Sequence, residues 1–268
     1  MGNIAQWLGS VDDLPRHDCL TLLTEVSGLS RARIIAFPET PLTTAQEDAL
    51  QQATAQLRNG SPLAYIIGRQ GFWTLELEVS PDVLIPRPET ELLVETALAL
   101  APPQADVLDL GTGSGAIAIA IAHTRTDLRV TAADSSGAAL KIAQRNAQRY
   151  QTAIQFIHTN WFHDLRGRWD LITCNPPYIA CDDPHLALLT HEPQCALISG
   201  KDGMRDLTQI IEQAPAFLRS KGYLLLEHGY DQAQRTQQLL QRRGFTEIKS
   251  LKDLAEIERV TLGCWPHA

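Results

Sequence analysis

The chain has 268 residues, 44% of them hydrophobic and 20% charged, with a formal net charge of −8. This is the composition of a soluble globular protein large enough for one sizeable domain plus a small one. It argues against a surface that coats nucleic acid, though not against a local basic patch. No apolar run approaches the ~18 residues of a membrane span. Met1-Gly2-Asn3-Ile4-Ala5-Gln6 lacks the cationic-then-apolar order of a signal peptide. The five cysteines (Cys19, Cys174, Cys181, Cys195, Cys264) are scattered and form no Cys-x-x-Cys pair, so free thiols in a reducing cytoplasm are expected. The eight histidines are equally scattered, and no metal site is expected.

Residues 1–71 read as a small helical domain. A helix is expected around Arg31 to Phe37, then Pro38 and Pro41 interrupt. Thr44-Ala45-Gln46-Glu47 reads as a capping box opening a helix to Asn59, with Gly60 as its stop. Ser61-Pro62 restarts a helix with Pro62 at its first position. Residues 72–90 read as a hairpin linker: Phe72 to Val79 alternates as a half-exposed strand does, Ser80-Pro81-Asp82 turns, and Val83-Leu84-Ile85 returns. Residues 91–268 then alternate strand and helix. Strands are expected at Val107–Leu110, Val130–Ala133, Ile154–Ile157, Leu171–Cys174 and Tyr223–Glu227, with helices at 116–122, 137–150, 206–218 (kinked or broken at Pro215) and 231–243. Two further strands are expected around Glu247–Leu251 and Arg259–Leu262. Such alternation predicts an α/β fold with a mostly parallel sheet covered by helices on both faces.

Asn175-Pro176-Pro177-Tyr178 follows the apolar run Leu171-Ile172-Thr173-Cys174. Two prolines stop any helix, and the residue before a proline is held extended. The result is a rigid corner offering two acceptors, the Asn175 side-chain oxygen and the Pro176 carbonyl, beside the flat face of Tyr178. It suits a planar NH2 group, whose two hydrogens need two acceptors in one plane. Cys174 reads as a small buried strand residue.

Asp109-Leu110-Gly111-Thr112-Gly113-Ser114-Gly115 joins the first parallel strand to its helix. Glycines there allow a tight turn and close approach of a ligand to the backbone. The spacing differs from the dinucleotide fingerprint and lacks the Lys-Ser/Thr of a P-loop. Asp134 ends the next strand, where a carboxylate either accepts from both ribose hydroxyls of an adenosine or caps a helix. Asn160 can bond the adenine edge, and Trp161 offers an indole face or packs the domain.

Together these segments resemble the class I S-adenosylmethionine-dependent methyltransferases that modify planar amino or amide nitrogens. Most closely the chain resembles the release-factor glutamine methyltransferases, the HemK/PrmC family. The likeness also covers Ile85-Pro86-Arg87-Pro88-Glu89-Thr90-Glu91, His191-Glu192-Pro193, Asp202-Gly203 and Glu258-Arg259-Val260-Thr261-Leu262-Gly263. One departure is Asn160, where the family commonly carries Asp. The resemblance implies a Rossmann-like sheet with an antiparallel C-terminal strand. It implies S-adenosylmethionine held by Gly111, Thr112, Gly113, Ser114, Gly115, Asp134, Asn160, Trp161 and Asn175, and substrate held by Asn175, Pro176, Pro177 and Tyr178. It implies catalysis by Asn175, Pro176 and Tyr178, with methyl transfer to the Gln amide of the Gly-Gly-Gln motif of peptide-chain release factors. Glu227-His228 suggests an acid–base pair, but amide methylation between acceptors does not require one, and His228 reads as structural. Competing readings are an adenine-N6 DNA methyltransferase, a ribosomal-protein glutamine methyltransferase and a non-catalytic cofactor-binding module.

Overall fold

A computed structural model describes residues 2–267 and divides the chain into two compact units, one ending at Arg69 and one starting at Gln70.

The first unit is helical: α1 (Ile4–Gly9), α2 (Arg16–Ser27), α3 (Arg31–Ala36), α4 (Thr44–Arg58) and α5 (Leu63–Ile67). Caps define its boundaries. In α1 the Asn3 side chain accepts from Gln6 N at 2.9 Å while Gln6 Oε1 accepts from Asn3 N at 3.0 Å. The same reciprocal box starts α4, but from Thr43 and Gln46, one residue before the expected Thr44. Pro62 likewise sits at the N-cap of α5 rather than at its first helical position. Ile4, Leu22, Leu23, Ile34 and Leu50 form the centre of this unit's core.

β1 (Arg69–Phe72), which starts at the last residue of the first unit, and β2 (Leu75–Glu78) form a two-stranded sheet at the start of the second. The expected hairpin is present, but its strands lie earlier in the chain than expected. The alternating run from Phe72 is not one strand: Trp73 takes φ 56° and turns the chain, and Val83-Leu84-Ile85 is not a strand. The turn is held from outside, because Trp73 N donates to Glu91 Oε1 at 2.7 Å. After a 3-10 turn (Pro88–Thr90) come α6 (Glu91–Leu100), β3 (Asp106–Leu110), α7 (Ala116–Thr124), β4 (Arg129–Asp134), α8 (Gly137–Arg149), β5 (Ile154–His158) and β6 (Trp169–Cys174). Then follow α9 (Arg205–Gln213), broken before Pro215 into a 3-10 turn, β7 (Leu218–Glu227), α10 (Ala233–Arg243), β8 (Thr246–Lys252) and β9 (Glu258–Cys264). The hairpin is fastened to α8: Glu78 N donates to Asn146 Oδ1 at 2.7 Å, and Asn146 Nδ2 donates back to Glu78 O at 3.0 Å.

The seven-stranded sheet has the order β5-β4-β3-β6-β7-β9-β8. β3, β4, β5, β6 and β7 pair in parallel, and β9 is antiparallel to both β7 and β8. Alternate strand residues feed two cores. Val107 and Leu171 join the cluster with α6 and α7, whereas Leu108, Leu110, Ile172 and Cys174 join the one with α9 and α10. The alternating Ala-Ile run of α7 is buried on all sides, as expected of a helix sealed within a large core.

The register sets the site. Leu110 pairs with Ala133 and with Cys174, and Cys174 pairs with Leu226. The next residue of each strand therefore falls on one row at the carboxyl edge: Gly111, Asp134, Asn175 and Glu227. The chain turns to opposite sides of β3 at this edge, which is where ligands bind in open α/β sheets.

Candidate active site

A cleft of about 330 Å³ opens along this row, lined among others by Gly111, Gly113, Asp134, Asn160, Trp161, Asn175 and Pro177. It falls in the size range of small-molecule and cofactor sites. Its glycine loop is pinned from below. Gly111 N and Thr112 N both donate to Ala133 O, at 2.8 and 3.0 Å, and Gly113 N donates to Asp134 Oδ2 at 2.8 Å. The Trp161 indole lies over Gly111, where a side chain's Cβ would meet Cζ3 at 3.4 Å. Gly115 serves packing: a Cβ there would come within 2.7 Å of Ile119 Cδ1 and 3.1 Å of Ala143 Cβ. Thr112, Ser114 and Gly115 do not line the cleft, and the first two are buried.

Asp134 divides its carboxylate between Gly113 N and Ser136 N, each at 2.8 Å. Each oxygen carries two lone pairs, so the carboxylate braces the loop and can still receive a diol. Burial pushes its pKa up, while the amides of Ser136 and Gly113 oppose this. Beneath the loop, Asp109 is fully buried, accepts from Thr173 Oγ1 at 2.9 Å, and has one oxygen, Oδ2, with no partner among the described residues. Its pKa is raised to about 7, chiefly by that burial. A loop presenting backbone at Gly111 and Gly113, a carboxylate one strand away and an indole opposite fit a nucleoside-bearing cofactor.

The corner that follows β6 sits beside this cleft. Asn175 Nδ2 donates to Thr90 Oγ1 at 3.3 Å, which leaves the side-chain oxygen of Asn175 for the cleft. Pro176 is buried, and Pro177 rather than Pro176 or Tyr178 contributes to the cleft wall. The backbone after the prolines is pinned by Gln232, whose Nε2 donates to Tyr178 O at 2.9 Å and to Gly203 O at 3.3 Å. Gly203 is packed so closely that a Cβ would lie 2.3 Å from Tyr178 O. The Tyr178 phenol is pushed up chiefly by burial, so it stays neutral.

Two segments whose role was open in sequence support the corner. Arg87 pairs with buried Glu192, which also accepts from Ile85 N at 3.1 Å. This ties the proline-rich segment to the His191-Glu192-Pro193 loop. Thr90, from the same segment, reaches Asn175 as above. His228 is buried, with Nε2 2.7 Å from Thr261 Oγ1 and Nδ1 2.9 Å from Gly229 O, a structural placement. Burial pushes its pKa down. The sequence signal for Thr90 and Glu192 was present in both motifs, but not their partners.

Residues 88–191 match the family model of the methyltransferase small domain, and residues 5–68 match that of the PrmC N-terminal domain. The chain is 48% identical over 255 residues to the release factor glutamine methyltransferase of Pseudomonas aeruginosa, covering 93% of this chain and 92% of that protein. It is 45% identical to the Escherichia coli protein of the same description, again covering 93% and 92%. In fold it resembles a methyltransferase from Pyrococcus furiosus, with a TM-score of 0.58 at 17% identity, covering 81% of this chain and 100% of that one. A 16S rRNA N2 G1207 methyltransferase of T. thermophilus, solved with AdoMet and guanosine, has a TM-score of 0.56 at 20% identity over 74% of this chain and 49% of that one. Full-length likeness at this level, on a site of this geometry, places the chain in the release factor glutamine methyltransferase family.

Proposed function

We propose that the protein transfers a methyl group from S-adenosylmethionine to the side-chain amide nitrogen of the Gln in the Gly-Gly-Gln motif of peptide-chain release factors. The observation that carries this reading is the row at the sheet edge. It sets an acceptor corner, Asn175-Pro176, beside a glycine loop and carboxylate suited to an adenosine. Bound there, S-adenosylmethionine supplies an activated sulfonium methyl.

The residues of the chain handle the difficult partner. An amide nitrogen is a poor nucleophile because its lone pair is delocalised into the carbonyl. Asn175 Oδ1 and the Pro176 carbonyl accept its two hydrogens, hold the nitrogen in line and stabilise the positive charge that develops on it; once the N–C bond has formed, the nitrogen releases one of those two protons to solvent and the neutral N-methyl amide remains. Tyr178 packs on the flat amide and excludes water. In the cleft, Gly111 and Gly113 admit the cofactor close to the backbone, and Asp134 accepts from its ribose. Asn160 bonds the adenine edge and Trp161 covers the ring. Thr112, Ser114 and Gly115 shape the loop from behind.

The helical unit of residues 1–71 is proposed to recognise the release factor, with 72–90 as linker and 91–268 as the transferase domain. Cytoplasmic action fits the free cysteines, and no helix among the described residues is long and apolar enough to cross a membrane. The test is incubation with labelled S-adenosylmethionine and a release factor, beside its Gln→Ala variant in the Gly-Gly-Gln loop and bare duplex DNA. Label on the unaltered release factor alone is expected. Equal label on the variant, or label on DNA, would refute the reading.

A further inference from the structure

Glu227 ends β7 on the same row as Asn175, yet no step above uses it. It is 2% exposed, and its Oε2 has no hydrogen-bond partner among the described residues. A carboxylate buried without full pairing is costly and calls for a reason. Its polar neighbours are the Thr90 hydroxyl and the Asn175 amide, both of which favour its charged form. Thr90, itself 3% exposed, in turn accepts from Asn175 Nδ2.

We propose that Glu227, acting through Thr90, is a positioning residue that fixes which end of the Asn175 amide faces the substrate. The inference rests on the reading that Asn175 accepts a hydrogen from a glutamine amide. A carboxylate can only accept, and Thr90 and Asn175 are the two side chains that bond to it, so the Thr90 hydroxyl hydrogen turns toward Glu227. The Thr90 oxygen is then left as an acceptor for Asn175 Nδ2. With its nitrogen engaged there, the Asn175 carbonyl oxygen must face the cleft, the orientation that receives a substrate NH2. Protonating Glu227 reverses the chain. The acid donates to Thr90, Thr90 donates to the Asn175 oxygen, and the amide turns its own NH2 toward the substrate's. Two donors then face each other and the in-line geometry is lost.

The surroundings allow this reversal near neutrality. Burial raises the Glu227 pKa to about 7, against the lowering effects of Thr90, Arg259 and Asn175. Arg259 faces it from β9 as a cation, and Glu89 from the 3-10 turn as a second anion. Cys174 at the end of β6 and Tyr178 in the corner also face it. Burial pushes both up, so both remain neutral across the same range. His228, the next residue along β7, is pushed down.

Glu227→Gln keeps the shape and removes the titration. Release-factor methylation is measured from pH 6 to 9 for both proteins, with the KM for release factor and the calorimetric Kd for S-adenosylmethionine. The unaltered protein is expected to gain kcat through a limb centred near pH 7. The variant is expected to lose about tenfold in kcat and to lose the limb, with KM and Kd held within about twofold, since orientation and not binding is disturbed. Thr90→Val is expected to behave alike and Thr90→Ser to restore both. This pair keeps the test open if Glu227→Gln does not fold. An active protein whose Glu227→Gln and Thr90→Val variants keep both kcat and the limb would overturn the inference and leave the proposed function standing. An unaltered protein that fails to label the Gly-Gly-Gln glutamine would overturn that function and this inference with it.

Discussion

Gly203→Ala tests how finely the acceptor corner is held. Gly203 has φ +71°, and a Cβ built there meets Tyr178 O at 2.3 Å and Gln232 Nε2 at 2.6 Å. Real Cβ contacts essentially never fall below 3.0 Å, so the Tyr178 carbonyl must retreat by about 0.7 Å or Gly203 must move away. Either shift strains the Gln232 bond to Tyr178 O. A left-handed alanine costs about 1–2 kcal/mol and a lost hydrogen bond about 0.5–1.5 kcal/mol, for a total of about 1.5–3.5 kcal/mol. For a domain of this size that corresponds to a fall of about 5–10 °C in Tm. A misplacement of about 1 Å in a catalytic constellation can cost about 100-fold, so a shift somewhat smaller is expected to lower kcat by at least about tenfold. The assay is methyl transfer to release factor well below the lowered Tm, with Gly71→Ala as the control. Gly71 has open space around its Cβ position and is expected to change neither value appreciably. A Gly203→Ala protein with unchanged kcat and Tm would refute the idea that this contact holds the corner.

Asn175→Ala is expected to lower kcat by at least about 100-fold, the scale of losing a preorganised polar group; near-normal turnover would count against its acceptor role. Asn160→Asp is expected to tighten S-adenosylmethionine binding severalfold by calorimetry, because a carboxylate accepts from the adenine amino group more strongly than an amide does; unchanged or weaker binding would remove Asn160 from the adenine contact. The raised pKa of Asp109, to about 7, means the folded state holds its proton more firmly than the unfolded chain does. That contribution to stability is full below about pH 4 and is lost as pH rises to about 7. Asp109→Asn should therefore flatten the fall in Tm between pH 5 and pH 8, read by scanning calorimetry. Glu227 keeps part of the slope, being raised to about 7 as well. Carboxylates held low by arginines, such as Asp106 and Glu78, act below pH 4 and leave this window clear. An identical pH dependence in the variant would contradict the assignment.

The sheet was legible because its strands are short apolar runs separated by amphipathic helices, a pattern that admits few topologies. The acceptor corner was legible for a local reason as well, since two prolines after a buried strand leave the backbone little freedom. The hairpin was misplaced because its turn carries no glycine, asparagine or proline. Trp73 enters the left-handed region with its amide tied to Glu91, a tertiary partner invisible to periodicity. Thr43 and Thr44 offer the same cap chemistry, and only the bonds to Gln46 choose between them. Within the glycine loop, sequence marked the segment but not its facing. Gly111 and Gly113 meet the cleft while Thr112 and Ser114 turn inward. Glu227 drew notice beside His228 as an acid–base pair. Its neighbours in space are Thr90 and Asn175, distant in sequence, and nothing short of the fold brings them together.

The central claim is that the corner receives a glutamine amide through two acceptors. A crystal structure with a Gly-Gly-Gln peptide and the demethylated cofactor tests it most directly. The glutamine nitrogen is expected within hydrogen-bond distance of both Asn175 Oδ1 and the Pro176 carbonyl, with Asn175 Nδ2 still on Thr90. A glutamine bound through its carbonyl to Asn175 Nδ2, with its nitrogen turned away from Pro176, would contradict it.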